Sequence, residues 1–176
     1  MDFDNRNYLF IRSAIYLIIF IVLHYLFDWF PNIVVSLFSG IDESVYQHMK
    51  IAFYSYAILT LIEFIVFRKK VADKKNFLYS HLLSIILLPL ITLILFLIGA
   101  MFYGERQYVV EIFYAIIITY VSGLSISFFE REMQGLQFSK RFQIFILILI
   151  VILIMEFTIF TFRLPWHDVF SDPYGP

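Results

Sequence analysis

Apolar residues in this chain do not recur at amphipathic intervals. They gather into long runs, parted by short segments that hold nearly all of the lysine and arginine. A helix needs about 20 apolar residues to cross a hydrocarbon core roughly 30 Å thick. Five such runs stand out, at about 8–27, 49–67, 77–103, 108–129 and 142–162. They predict an all-α integral membrane bundle of five transmembrane helices, forming a single membrane domain over residues 1–176. The first run is read as a retained span, because the residues at its end, Leu26-Phe27-Asp28-Trp29, are bulky where a cleavable leader would carry small ones. Pro89 falls inside the third run, where neighbouring helices can support a kink. Between the first two runs, residues 28–50 mix Trp29, Phe30, Ile33 and Phe38 with Pro31, Gly40 and several acids. That stretch is too short in apolar residues to cross, and suits a short interfacial helix or loop. The tail at 163–176 contains Pro165, Pro173 and Pro176 and cannot be helical throughout. It is expected to fold back over the adjacent mouth of the bundle, with Trp166 and Tyr174 at headgroup level.

Composition agrees with this pattern. Hydrophobic residues make up 61% of the 176 positions and charged residues only 15%, far less charge than a soluble domain of this length carries. The absence of cysteine excludes disulfides, thiolate metal sites and cysteine nucleophiles. Charge matters here through its distribution. In the five-span arrangement one side holds Arg6, Arg12, Arg68, Lys69, Lys70, Lys74, Lys75, Arg131, Lys140 and Arg141, and the other only Lys50, Arg106 and Arg163. By the positive-inside rule this is a multi-pass protein of the cell membrane, its amino terminus cytoplasmic and its carboxyl terminus extracytoplasmic. Topology and attraction to anionic lipid explain the basic loop at 68–75, so no nucleic-acid partner is inferred. No glycine-rich phosphate loop is present, and no nucleotide partner is inferred either.

Placed on this topology, the polar residues converge on one level. His24 and Asp28 end the first span, Asp42, Glu43 and His48 lead into the second, Glu111 opens the fourth, Glu156 lies near the end of the fifth, and His167, Asp168 and Asp172 sit on the tail. Ionisable groups at membrane depth are costly and mark sites by default. Imidazoles with carboxylates and no thiolate form the three-ligand arrangement of catalytic zinc or another divalent metal. His24, His48 and His167 are the candidate ligands, and Glu43 and Ser44 the candidate catalytic side chains, Glu43 as general base or fourth group. The tail residues Asp168, Asp172 and Tyr174 would close the site. On the second span Ser44, His48, Ser55 and Glu63 fall within an arc of roughly 100°, a polar stripe that reaches Glu63 near His81 at the start of the third span.

Plainer roles compete for the same residues. Asp42 is a good helix N-cap and Glu43 complements the dipole of a first turn. His48 and Lys50 suit headgroup contact, His24 suits an interhelical hydrogen bond, and Glu63 suits snorkelling or a pair with Arg68. Ser122, Gly123, Ser125 and Ser127 suit close helix contact in the fourth span.

The segments His24-Tyr25-Leu26-Phe27-Asp28-Trp29 and Asp42-Glu43-Ser44-Val45-Tyr46-Gln47-His48-Met49-Lys50, with Glu63 later in the same helix and Phe170-Ser171-Asp172-Pro173-Tyr174-Gly175 in the tail, carry a resemblance. They resemble an uncharacterised family of small prokaryotic multi-pass membrane proteins, a domain of unknown function. Its pattern is a His-Phe-x-Tyr-x-Trp segment, Asn-Glu-Ser-Val-Trp-Glu-His-Leu-Lys, a later Glu, then Phe-x-Asp-Pro and Tyr-Gly. This chain departs from it with Asp42 for Asn, Tyr46 for Trp and Gln47 for Glu. The resemblance implies that the cluster around His24, Glu43 and His48 is a family feature, and implies no activity.

Three function classes follow: a metal-dependent membrane hydrolase acting on a lipid or small-molecule substrate, a small proton-coupled transporter or ion-binding protein using the stripe, or a non-catalytic membrane subunit or scaffold. Membrane lipid is a partner of all three, and oligomeric state is left open. Because the chain has no cysteine, a single introduced one reports topology without background. A cysteine at position 170 is expected to react with a membrane-impermeant maleimide on intact cells. Reaction only after permeabilisation would reverse the orientation and dissolve the proposed cluster.

Overall fold

A computed structural model describes residues 6–69, 71, 73–100, 108–133, 135–166 and 168–172, with the side chains of 100, 108 and 168 left aside. Among the described residues the chain is all helical. Five long helices appear, α1 (Arg6–Trp29), α3 (Val45–Phe67), α4 (Lys74–Ala100), α5 (Tyr108–Met133) and α6 (Lys140–Phe162), with a single-turn helix α2 (Ile33–Ser36) between the first two and a 3₁₀ turn at Asp168–Phe170. Each of the five is long and apolar enough to cross a membrane. Four of the apolar runs read from sequence lie inside these helices, and the third, 77–103, lies inside α4 as far as Ala100, its last three residues falling outside the described ones. Most of the helices extend a turn or so into flanking polar residues, as capping and snorkelling side chains permit.

Local sequence explains where the helices begin. Asn32 accepts from the backbone of Val34 and Val35, both at 3.0 Å, and starts α2. Asp73 accepts from Lys75 and Asn76, both at 2.9 Å, and starts α4. Ser139 caps α6 through the amide of Phe142. At α3 the expected cap moves by two residues. Ser44 is the N-cap, its hydroxyl accepting from Gln47, while Asp42 supports it by accepting from the Ser44 amide at 2.9 Å. Glu43 therefore precedes the helix and is free of the first turn. Pro89 is accommodated within α4.

Helices α1, α3, α4 and α5 form a closed ring, each packed on its two neighbours, and α6 lies outside against α4. Side chains also tie α6 to α3: the Tyr46 hydroxyl donates to the Glu156 carbonyl at 2.9 Å, and Phe157 packs on Phe53. The outer faces of the helices are apolar, with Ile18, Leu61, Ile94, Phe113 and Ile152 exposed, as lipid contact requires. The centre is filled by Tyr16, Tyr56, Ile51, Leu59, Leu88 and Ile126, all buried. Small and hydroxylated residues let the helices approach. Thr92 on α4 donates to Ser122 on α5 at 3.1 Å, and Gly123 faces the ring of Tyr16 on α1. The described part of the tail does return to the bundle, where Phe170 packs on Tyr46 at 4.7 Å and on Phe160 at 5.5 Å.

A Cβ at Gly123 would stand 2.5 Å from the Tyr16 ring, which is fully buried and has nowhere to retreat. Alanine favours a helix interior by about 1 kcal/mol over glycine, but overpacking of about 1–3 kcal/mol outweighs this. Gly123→Ala should lower the thermal unfolding midpoint in detergent, and an unchanged or raised midpoint would show that α1 and α5 can part at this level.

Candidate functional site

Two polar centres lie on α3, one at each end. The first surrounds its N-terminus. His24 on α1, Glu43 on the loop before α3 and His48 in its first turns come together, with one ligand-type atom of each within 4.8 Å of the others. His24 Nε2 is 3.4 Å from Glu43 Oε1 and His48 Nε2 is 3.6 Å from Glu43 Oε2. The imidazole centroids are 5.2 Å apart, and Phe20 stacks on His24. His48 Nδ1 is 2.8 Å from the Ser44 carbonyl, which only accepts, so Nδ1 carries the hydrogen and Nε2 is the nitrogen that faces Glu43. The histidine side chains are 17% and 26% exposed and Glu43 is 46% exposed, so the group opens to the surrounding medium on the Glu43 side.

Lys50 lies half a turn further along α3, wholly buried. Its ammonium donates to the Ser36 carbonyl at 2.8 Å and to Thr161 Oγ1 at 2.9 Å, pinning α2 and α6 to α3. This side chain was expected to meet headgroups. It turns inward because two oxygens wait there, and it thereby fixes the short helix α2 to the N-terminal part of α3.

The second centre lies at the other end of α3 and is buried. Arg12 on α1 places Nε 2.7 Å from Glu63 Oε1 on α3, a close charge contact without hydrogen-bond alignment, and Nη1 2.9 Å from Glu130 Oε1 on α5. His81 on α4 approaches both acids, its Nε2 3.0 Å from Glu130 Oε1 and 3.5 Å from Glu63 Oε2. Tyr8 donates to Glu63 at 2.5 Å, Tyr56 donates to Glu130 at 3.1 Å, and the Arg12 guanidinium lies over the Tyr56 ring. Arg12, Glu63, His81 and Glu130 are each no more than 4% exposed. All four helices of the ring contribute to this network.

The residues singled out from sequence thus fall into several groups. His24, Glu43 and His48 meet, and so do Glu63 and His81. Ser44 is spent as a helix cap. Ser55 is buried between the two centres, its hydroxyl without a hydrogen-bond partner among the described residues. Asp172 is half buried, whereas His167, Tyr174 and the side chain of Asp168 lie outside the described residues. Glu63 pairs with Arg12, which is buried, in place of the expected Arg68, which is exposed. Arg12 and Glu130 were missed as site residues. The signal available was their position, one inside an apolar run and the other one turn before the end of a membrane-length helix.

A closed ring of four membrane-length helices with a fifth alongside, one polar centre at each end of α3, defines an all-α membrane-type bundle built around paired acid–histidine groups. The chain belongs to a family of unknown function (DUF6512), whose model matches residues 2–175. No curated protein and no solved structure matches it.

Removing one member of a buried ion network leaves its partners uncompensated, which costs about 3–5 kcal/mol. Arg12→Met should therefore destabilise the protein by that order, read as a loss of folded protein in detergent or a large fall in its unfolding midpoint. Arg12→Lys, which keeps the charge, should lose less. Equal losses in both variants would mean that guanidinium packing, and not charge, is what the site requires.

Proposed function

We propose that the chain is a metal-dependent membrane hydrolase, with His24, Glu43 and His48 holding one divalent ion of the zinc type. The observation that carries this is the spacing of the three side chains. Ligand atoms about 2 Å from a shared tetrahedral ion stand roughly 3.3 Å apart. His24 Nε2 and His48 Nε2 stand 3.4 and 3.6 Å from the two separate oxygens of Glu43, and one ligand atom of each residue lies within 4.8 Å of the others, a set that small side-chain movements would close onto one ion. The tautomer of His48, set by the Ser44 carbonyl, is the one a metal ligand needs. Two neutral imidazoles and one carboxylate carry a single negative charge, which suits a dication that keeps an open position. When bound, such an ion supplies Lewis acidity and a water made acidic enough to attack at neutral pH.

This reading moves Glu43 from the role of base to that of ligand, since it stands between both histidines. Asp28, one turn beyond His24 on α1, is then the nearby carboxylate proposed to take a proton. The site lies at one end of the first two spans and opens on the half-exposed Glu43 side, the level at which a lipid headgroup or an amphiphilic small molecule would arrive. The orientation argued from basic residues would put that face outside the cell.

The test is elemental analysis of detergent-purified protein prepared without added metal, wild type beside His24→Ala and His48→Ala. About one zinc, iron or manganese per chain, lost in both variants, is expected, and lipid ester or amide hydrolysis should follow the metal. No metal in the wild type, even after zinc addition and dialysis, would sink the hydrolase reading and leave transport or scaffolding.

A further inference from the structure

The buried centre at the other end of α3 has a charge that does not close on its own. Glu63 and Glu130 bring two negative charges and Arg12 one positive. An unbalanced charge at this depth is expensive, so a second positive charge or a bound proton is required. The hydrogen bonds say where it goes. His81 Nδ1 is 2.7 Å from the Phe77 carbonyl, an acceptor, so Nδ1 must carry a hydrogen. The remaining nitrogen, Nε2, faces two carboxylate oxygens at 3.0 and 3.5 Å. A bare lone pair there would oppose the lone pairs of both acids. One hydrogen must lie on Nε2 or on the facing oxygen of Glu130.

Beside these groups is a cavity of about 10 Å³, lined by Tyr8, Arg12, Glu63, His81, Ser127 and Glu130, which is on the scale of a single water. It offers that water a spare donor, Arg12 Nη2, and a spare acceptor, Glu63 Oε2, both buried and without a hydrogen-bond partner among the described residues. Its rim includes Arg131, whose side chain is 26% exposed near the end of α5, and Tyr8, in the first turn of α1.

We propose that Arg12, Glu63, His81 and Glu130 form a proton-binding site, holding one exchangeable proton between His81 Nε2 and Glu130 and exchanging it through the cavity at the end where α1 begins. Loading forms the bond to His81 Nε2, or to the Glu130 oxygen 3.0 Å away, with a proton from the medium relayed by the cavity water, which takes up one proton as it passes one on and stays neutral. Unloading returns that proton to the water and leaves a net charge of minus one among four helices. The charged and titratable groups that face His81 are Glu63 from α3, Glu130 from α5 and Arg12 from α1, with Tyr8 and Tyr56 bonded to the two acids; Arg131 of α5 also lines the cavity, its charge paired with Glu132 at 3.0 Å. The site shares no residue with His24, Glu43 and His48, so it stands whether or not a metal binds there.

The experiment is nitrogen-15 NMR of the full chain with labelled histidine, in micelles at pH 7.5, the His81 signal assigned by its loss in His81→Asn. An ordinary histidine is mostly neutral at that pH. Imidazolium nitrogens are expected for His81, or else an infrared carboxylic-acid band that Glu130→Gln abolishes. In Glu130→Gln, where Arg12 and Glu63 already balance, His81 should become neutral, and Glu63→Gln offers the same reading should that variant fold poorly. A neutral His81 in the wild type with no such infrared band overturns the proposal. So does a His81 that stays charged after either acid is neutralised.

Discussion

The fold rests on one constraint, the neutralisation of Arg12 and the two acids beside it in the buried interior of a ring of helices. Two unit charges 4 Å apart attract by roughly 4 kcal/mol at an effective dielectric of 20, and the burial of each ion costs several kcal/mol in return. The net gain is small, but it exists only when every partner is in place. Arg12 touches acids on α3 and α5, and those acids share His81 on α4. A shift of any one helix by a single residue would strand at least one charge. Apolar packing between lipid-facing helices is tolerant of such shifts, because lipid tails are as apolar as leucine. The ion network is what selects one register.

Helix α3 is the element through which the two centres are related. His48 and Glu63 are fifteen residues apart by position, about 22 Å along a helix. That separation is most of the thickness of a hydrocarbon core. The centres therefore do not act on one another through direct charge contact, and Ser55, whose hydroxyl has no hydrogen-bond partner among the described residues, is a polar position between them. Any coupling between them has to pass through movement or tilting of α3, whose N-terminal end is held by Lys50 and whose C-terminal end is held by Arg12.

How much of this could be read from sequence follows from what kind of interaction sets each feature. The five long helices and the short α2 were legible because run length and the Pro31 and Gly40 breaks are local properties. The meeting of His24, Glu43 and His48 was legible from topology, since all three had to lie at one end of the first two spans. Arg12 was counted only as a flanking charge, because a residue near a helix end can snorkel or turn inward, and what decides is a pair of acids far along the chain. Lys50 turned inward for the same kind of reason, towards Ser36 and Thr161. Asp42 and Ser44 are both good caps two positions apart, and the choice between them depends on the path of the preceding loop.

Both centres use the same local device and obtain different chemistry from it. His48 donates through Nδ1 to the carbonyl of Ser44, and His81 donates through Nδ1 to the carbonyl of Phe77, each four residues back. In each case Nε2 is left to face carboxylate. Beside His48 that carboxylate is half exposed and belongs to a loop, so Nε2 can keep its lone pair and the charge can be met by a cation from outside. Beside His81 two carboxylates are buried with a single guanidinium between them, so the missing positive charge has to be supplied within the bundle, as a proton. Burial and charge count, more than the identity of the residues, separate the proposed metal site from the proposed proton site.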